Sequence, residues 1–131
     1  MKKLLTSALL AVAIATPGQA NTARMPDALA GEWCQTSGTN DIGDYIKAKN
    51  FCKETRPLAV YIHPVGFWIK LATVKTRVLC IPLRIEDYAR GWLVVADCGA
   101  EDNSTPVYRF GFTFEISEPG RIAMTRFAWN N

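Results

Sequence analysis

The clearest alternation in the chain lies between residues 108 and 116, YRFGFTFEI, where Tyr108, Phe110, Phe112, Phe114 and Ile116 alternate with Arg109, Gly111, Thr113 and Glu115. A period of two marks a strand with one buried face, here an aromatic one. This strand extends over about 106–116, and β-rich runs broken by Gly and Pro predict others at about 30–35, 58–63, 66–73, 76–85, 91–98 and 121–129. The polar run 36–44 (TSGTNDIGD) reads as loop, and Tyr45 to Phe51 as one or two helical turns with Asp44 as N-cap. Short strands at this spacing imply an all-β fold, a small antiparallel barrel or sandwich of six to eight strands. No internal repeat, low-complexity segment or heptad pattern interrupts it.

Residues 1–20, MKKLLTSALLAVAIATPGQA, have a different character. Lys2 and Lys3 precede a mostly apolar run from Leu4 to Thr16 and a small-x-small exit at Gly18-Gln19-Ala20. This is the pattern of a secretory signal peptide cleaved after Ala20, and the run is shorter than the roughly 18–20 apolar residues of a membrane span. No other stretch is long and apolar enough to span, so no integral membrane segment is expected after cleavage. The expected organisation is a cleaved leader, 1–20, and a single domain, 21–131, whose residues 21–28 form an N-terminal arm. The expected localisation is periplasmic or secreted.

The cysteines sharpen the picture. All four, Cys34, Cys52, Cys80 and Cys98, follow the leader, and an even count in an exported chain implies disulfides. A metal site is disfavoured, because there is no C-x-x-C and only one histidine. The runs 76–85 and 91–98 form a hairpin centred on Ala89, midway between Cys80 and Cys98, which sets these two opposite each other at disulfide range. Cys34–Cys52 follows by exclusion. In that register Leu79, Ile81, Leu83 and Ile85 share the core face with Leu93 and Val95, and the Cys80–Cys98 bridge lies outside the apolar layer. The final hairpin, turning at Ser117-Glu118-Pro119-Gly120, has two registers open. A centre on Pro119 sets Phe112 opposite Arg126 and Phe114 opposite Met124; a slip of half a pair sets Phe112 opposite Phe127 and turns Arg126 to the other face.

Charge narrows the partners. The whole chain carries 15 Lys+Arg against 12 Asp+Glu. Loss of the leader removes Lys2 and Lys3, which leaves a net charge of +1 and no dense basic cluster, so a nucleic-acid partner is not expected. His63, the only histidine, has no nucleophile motif beside it, and Glu86, Asp87, Asp97, Glu101 and Asp102 fall in or beside turns as solvated acids. No catalytic residues and no cofactor are assigned, and the chain is not read as an enzyme. Trp68 and Trp92 alternate with the core positions of their strands and read as outward anchors for a partner.

Gly31-Glu32-Trp33, opening the first strand, resembles the G-x-W signature of lipocalins and related calycin barrels. In those families the tryptophan plugs one barrel end and an arginine of the last strand packs on it, which implies a structural pair of Trp33 and Arg126, with Arg121 in reserve. Arg24-Met25-Pro26 followed by Leu29-Ala30-Gly31-Glu32-Trp33 is similar to the start of the bacterial Inh-type metalloprotease inhibitors, exported eight-stranded proteins whose N-terminal arm inserts into the protease cleft. That resemblance implies that Arg24, Met25 and Pro26 contact a partner and that Cys34–Cys52 is the family's early disulfide. The chain also resembles small exported four-cysteine proteins of alphaproteobacteria with a G-x-W-C start. The expected function is a monomeric, non-enzymatic binding or inhibitory module acting on a protein partner, by resemblance a protease or other hydrolase. Two other readings remain: a calycin-like carrier of a small apolar ligand, and an envelope-associated structural protein.

Overall fold

A computed structural model of the chain describes residues 23–48, 52, 58–71 and 74–130. The expected leader and the first two residues of the arm lie outside the described residues. Eight antiparallel strands form a closed barrel: β1 (Gly31–Gly38), β2 (Ile42–Lys47), β3 (Leu58–His63), β4 (Gly66–Leu71), β5 (Val78–Tyr88), β6 (Gly91–Ala100), β7 (Tyr108–Glu118) and β8 (Arg121–Ala128). The order around the barrel is β1-β2-β8-β7-β6-β5-β4-β3, with β3 returning to β1. Closure removes the exposed strand edges that an open sheet of this size would present.

From β3 to β8 every strand pairs with its neighbours in sequence. The exception is β1, which pairs with both β2 and β3, so the connection between Lys47 and Leu58 crosses it. Cys52 belongs to this connection and is bonded to Cys34, whose neighbours Trp33 and Gln35 point inward. The Glu32 side chain adds a second tie, its carboxylate accepting the Cys52 N–H at 2.9 Å.

Aromatic residues from opposite walls fill the interior. Phe67 meets Phe112 edge-on at 4.9 Å between ring centroids and Phe114 at 5.6 Å, and all three are fully buried. Burial of each such ring contributes about 1.5–3 kcal/mol, and T-shaped packing adds to it. Small inward residues on β5 and β6 (Cys80, Pro82, Ala96 and Cys98) leave room for these rings.

One end of the barrel is closed by the chain that precedes β1. Residues 23–26 run across it, with Ala23 N–H donating to Pro82 O and Met25 N–H to Pro64 O, both at 2.9 Å. A short 3-10 turn, Asp27–Leu29, then leads into β1. Met25 (1 % exposed) and Leu29 (0 %) plug the core, and Trp33 locks the plug by donating its indole N–H to Leu29 O at 2.8 Å.

The structure corrects several expectations. Of the helical turns expected over Tyr45 to Phe51, residues 45–47 are instead the end of a strand, Ile42–Lys47, whose backbone closes the barrel between β1 and β8, and residues 49–51 lie outside the described residues. Strand β1 also continues to Gly38, which leaves only residues 39–41 as the turn. Cys80 does face Cys98 and is bonded to it, but the bridge lies inside the core, at 0 % and 2 % exposure. Leu79 and Ile81 face outward. At Leu83 the register shifts by one residue, after which Ile85 returns to the core opposite Val94. The bulge reverses the side-chain parity, and the turn contracts to Ala89-Arg90. In the last hairpin Phe112 pairs with Arg126 and Phe114 with Met124, the register centred on Pro119.

The outer wall of β6 and β7 is itself partly covered. A side chain at Gly111 would place its Cβ 2.5 Å from the Phe127 ring and 2.9 Å from that of Trp129, so only glycine lets both rings approach the backbone there. They reduce Val95 to 4 % exposure, and the Arg84 guanidinium sits 5.2 Å from the Trp129 ring centre.

Candidate functional site

Because the N-terminal arm closes one end, the two ends of the barrel differ. The other end is framed by the turn at 39–41, the connections from β4 to β5 and from β6 to β7, and the residues after β8. Seven large apolar residues are exposed among the described residues. Five of them (Ile42, Val74, Val107, Tyr108 and Phe127) lie at this second end, and only Val65 and Tyr88 lie at the turns of the plugged one. A monomer normally scatters such residues singly, so their concentration makes this end the candidate surface.

Within that rim lies an open pocket of about 230 Å³, lined by Val78, Cys98, Thr105, Tyr108, Phe110 and Arg126. The alternation of β7 and β8 builds it. Phe110 is one step above the buried Phe112 on the inner face, and Arg126 one step beyond the buried Met124. The Cys80–Cys98 disulfide contributes the wall one pair deeper than Val78 and Ala100.

Arg126 is the charged group of the pocket. Its guanidinium lies 5.0 Å from the Phe110 ring centre, a cation–π arrangement. Its Nε and Nη2 both donate to Asp41 Oδ1, at 3.1 and 2.7 Å, and its backbone N–H donates to Asp41 O at 2.6 Å. Below it Tyr45 is buried, at 1 % exposure, and its ring leans over Gly43 toward the open end. The Tyr45 hydroxyl has no hydrogen-bond partner among the described residues. Burial pushes its pKa well above the ordinary phenol value, and the positive charge of Arg126 pulls in the opposite direction.

The residues singled out from sequence do not assemble into one patch. Met25 is core, Pro26 is half-buried and Arg24 is exposed beside Asp27 at the plugged end. Trp92 shares its face with the Cys80–Cys98 bridge as expected, but that face is the interior, and the ring packs against the core. Trp68 does point outward. Its indole N–H donates to Glu101 Oε2 at 2.9 Å, and Arg77, stacked 5.5 Å from the ring centre, makes a two-pronged bond to the same carboxylate. Those bonds, chiefly from Arg77, hold the Glu101 pKa below the usual carboxylate range.

Trp33 and Arg126 are at opposite ends. The cation over Trp33 is Lys47, 5.7 Å from the ring centre, and Arg121 is paired with Glu118. Asp41, Tyr108 and Phe110 escaped the sequence reading as site residues. The available signal was Arg126 itself, a cation that the Pro119-centred register places on an inward face behind Ile122 and Met124.

Three of the five acids considered for catalysis are held in ion pairs. Asp97 pairs with Arg109 at 2.8 Å, Glu86 with Arg84 at 2.7 Å and Glu101 with Arg77 at 2.9 Å. Glu32, Cys34 and Cys52 bring potential metal-ligand atoms within 4.8 Å of one another, but both sulfurs are committed to the disulfide. The two disulfides themselves indicate an oxidising, extracytoplasmic environment. Compared with known proteins, the chain matches no family model, no curated protein and no solved structure.

Proposed function

We propose that this protein is a non-catalytic binding module, exported to the periplasm or beyond the cell, that engages a protein partner through the open end of its barrel. The observation that carries this reading is that five of the seven exposed large apolar residues, Ile42, Val74, Val107, Tyr108 and Phe127, lie at one end of the barrel, where Tyr108 also lines a pocket. Aromatic and aliphatic anchors beside a concave site are where interface energy concentrates. At about 230 Å³ the pocket falls below the roughly 300–1,000 Å³ of small-molecule sites and suits a single side chain.

A protease or other hydrolase is the partner class suggested by the likeness of residues 24–33 to Inh-type inhibitors. Insertion of the arm in the manner of those inhibitors would draw Met25 out of the core, so contact through the open end is the less costly mode. The test is affinity capture from periplasm and culture supernatant with the wild type and a Val107→Asp/Tyr108→Ser variant. The reading requires that the variant lose the captured protein while its melting temperature holds. Equal capture by both would overturn it.

A further inference from the structure

The open-end pocket combines two chemistries that a purely apolar docking site would not need. Its walls at Val78, Tyr108 and Phe110 are apolar or aromatic, and Arg126 stands among them as a cation. A guanidinium offers five N–H donors in a planar fork, suited to carboxylates. Here Nε and Nη2 converge on one oxygen, Asp41 Oδ1, and no partner for Nη1 is found among the described residues. Asp41 comes from the turn at 39–41 and is itself exposed, with 63 % of its side chain in contact with solvent. The arginine is therefore held by a carboxylate that can leave for water without unfolding a strand. Exchange of one carboxylate for another keeps the guanidinium paired, and the displaced Asp41 charge is turned to solvent, where it is screened.

Resting on the binding-module reading, we infer that the pocket receives the C-terminal residue of a partner chain. Its apolar or aromatic side chain lies against Phe110, Tyr108 and Val78, and its terminal carboxylate takes Arg126 in competition with Asp41. An amphiphilic group of this kind matches both the lining and the charge, and one residue fits the volume. A lone acidic side chain would use Arg126 but leave the aromatic wall unoccupied.

Three probes test this by NMR titration of the disulfide-bonded protein: N-acetyl-phenylalanine, its α-amide, and N-acetyl-aspartate α-amide. The free acid should shift open-end resonances and bind at least about tenfold more tightly than either amide. Asp41→Asn, which removes the internal competitor, should tighten binding of the acid severalfold. Arg126→Gln should reduce it to the level of the amide, and Arg126→Lys should fall between, with melting curves confirming that each variant is folded. Equal binding of N-acetyl-phenylalanine and its amide overturns the carboxylate assignment and leaves the apolar pocket standing. Preferential binding of the aspartate amide assigns Arg126 to an acidic side chain and overturns the C-terminal reading. If no probe shifts these resonances while the Val107/Tyr108 variant still loses its partner, this inference fails alone and the binding-module reading survives.

Discussion

Tyr45 shows how one atom can link stability to pH. Its hydroxyl is buried without a hydrogen-bond partner among the described residues, so the neutral phenol already carries a desolvation cost of about 1–3 kcal/mol. Ionisation would cost more, and burial accordingly raises the pKa well above the ordinary 10.0. The folded state keeps this proton at pH values where the unfolded chain releases it. The stabilisation linked to the group is therefore complete below about pH 10 and is lost as pH rises further, by up to about 1.4 kcal/mol per pH unit. Tyr61, raised chiefly by burial and also by Glu32, acts in the same direction. Tyr45→Phe should leave the protein equally stable or about 1 kcal/mol more stable at pH 7. It should also flatten, without abolishing, the decline between pH 10 and 12 in melting curves; a variant clearly less stable at pH 7 would mean that the hydroxyl has a partner. Ala89 offers a second single-residue test. It stands in the two-residue turn of the β5–β6 hairpin at φ 50°, a conformation that costs an L-residue about 1–2 kcal/mol. Ala89→Gly removes that strain but adds freedom to the unfolded chain. The net expectation is a gain of about 0.5–1 kcal/mol, read from chemical denaturation.

At the scale of elements the two disulfides have equal sequence separations, 18 residues each, and so similar loop-entropy contributions of about 3 kcal/mol. Their surroundings separate them. Cys80–Cys98 cross-links adjacent strands inside the core, whereas Cys52 is only half-buried and fastens the crossing connection to β1. Thiol–disulfide exchange requires access to a sulfur. Mild dithiothreitol treatment of the folded protein, followed by alkylation and mass mapping, should therefore label Cys34 and Cys52 first, with Cys80 and Cys98 reacting only once the barrel unfolds. That the two strands pair through Cys80 and Cys98 was legible from sequence, although the turn is centred between Ala89 and Arg90 and it is the one-residue bulge at Leu83 that sets Cys80, not Ile81, opposite Cys98. Which face the bridge occupies was not. Leu79, Ile81 and Leu83 are as apolar as a core strand, so hydrophobicity does not distinguish inside from outside on β5. Volume distinguishes them: Phe67, Phe112 and Phe114 fill the lumen from β4 and β7, and the small residues Cys80, Pro82, Ala96 and Cys98 on β5 and β6 between them leave room for the rings. The strand at Ile42–Lys47 was hidden for a related reason. Its pattern is mixed, and long-range pairing with β8 overrides the local helical signal.

Over the whole molecule, the asymmetry between a plugged and an open end separates the residues that hold the barrel together from the large apolar residues left exposed. The open end escaped sequence reading because it is made by register. The turn at 39–41, the end of β8 and the start of β7 are far apart in the chain and meet only when the barrel closes. At the plugged end, Arg24-Met25-Pro26 resembles an arm made for another protein, and in the structure Met25 is 1 % exposed and Leu29 0 %. Truncating a buried methionine typically costs about 2–5 kcal/mol, depending on how far the site collapses. The Met25 site has little freedom to collapse, because Ala23 and Met25 are pinned to Pro82 and Pro64 by backbone hydrogen bonds on either side of the plug. Met25→Ala should therefore lower the melting temperature substantially, by roughly 10 °C or more for a domain of this size. At temperatures where the variant is still folded, it should retain partner capture and probe binding, because the open end lies across the filled core. Val107→Asp/Tyr108→Ser should do the reverse, keeping the melting temperature and losing the partner. A double comparison of melting temperature and capture for these two variants discriminates sharply. If Met25→Ala abolished capture at full stability, the arm would be the recognition element and the open end would not.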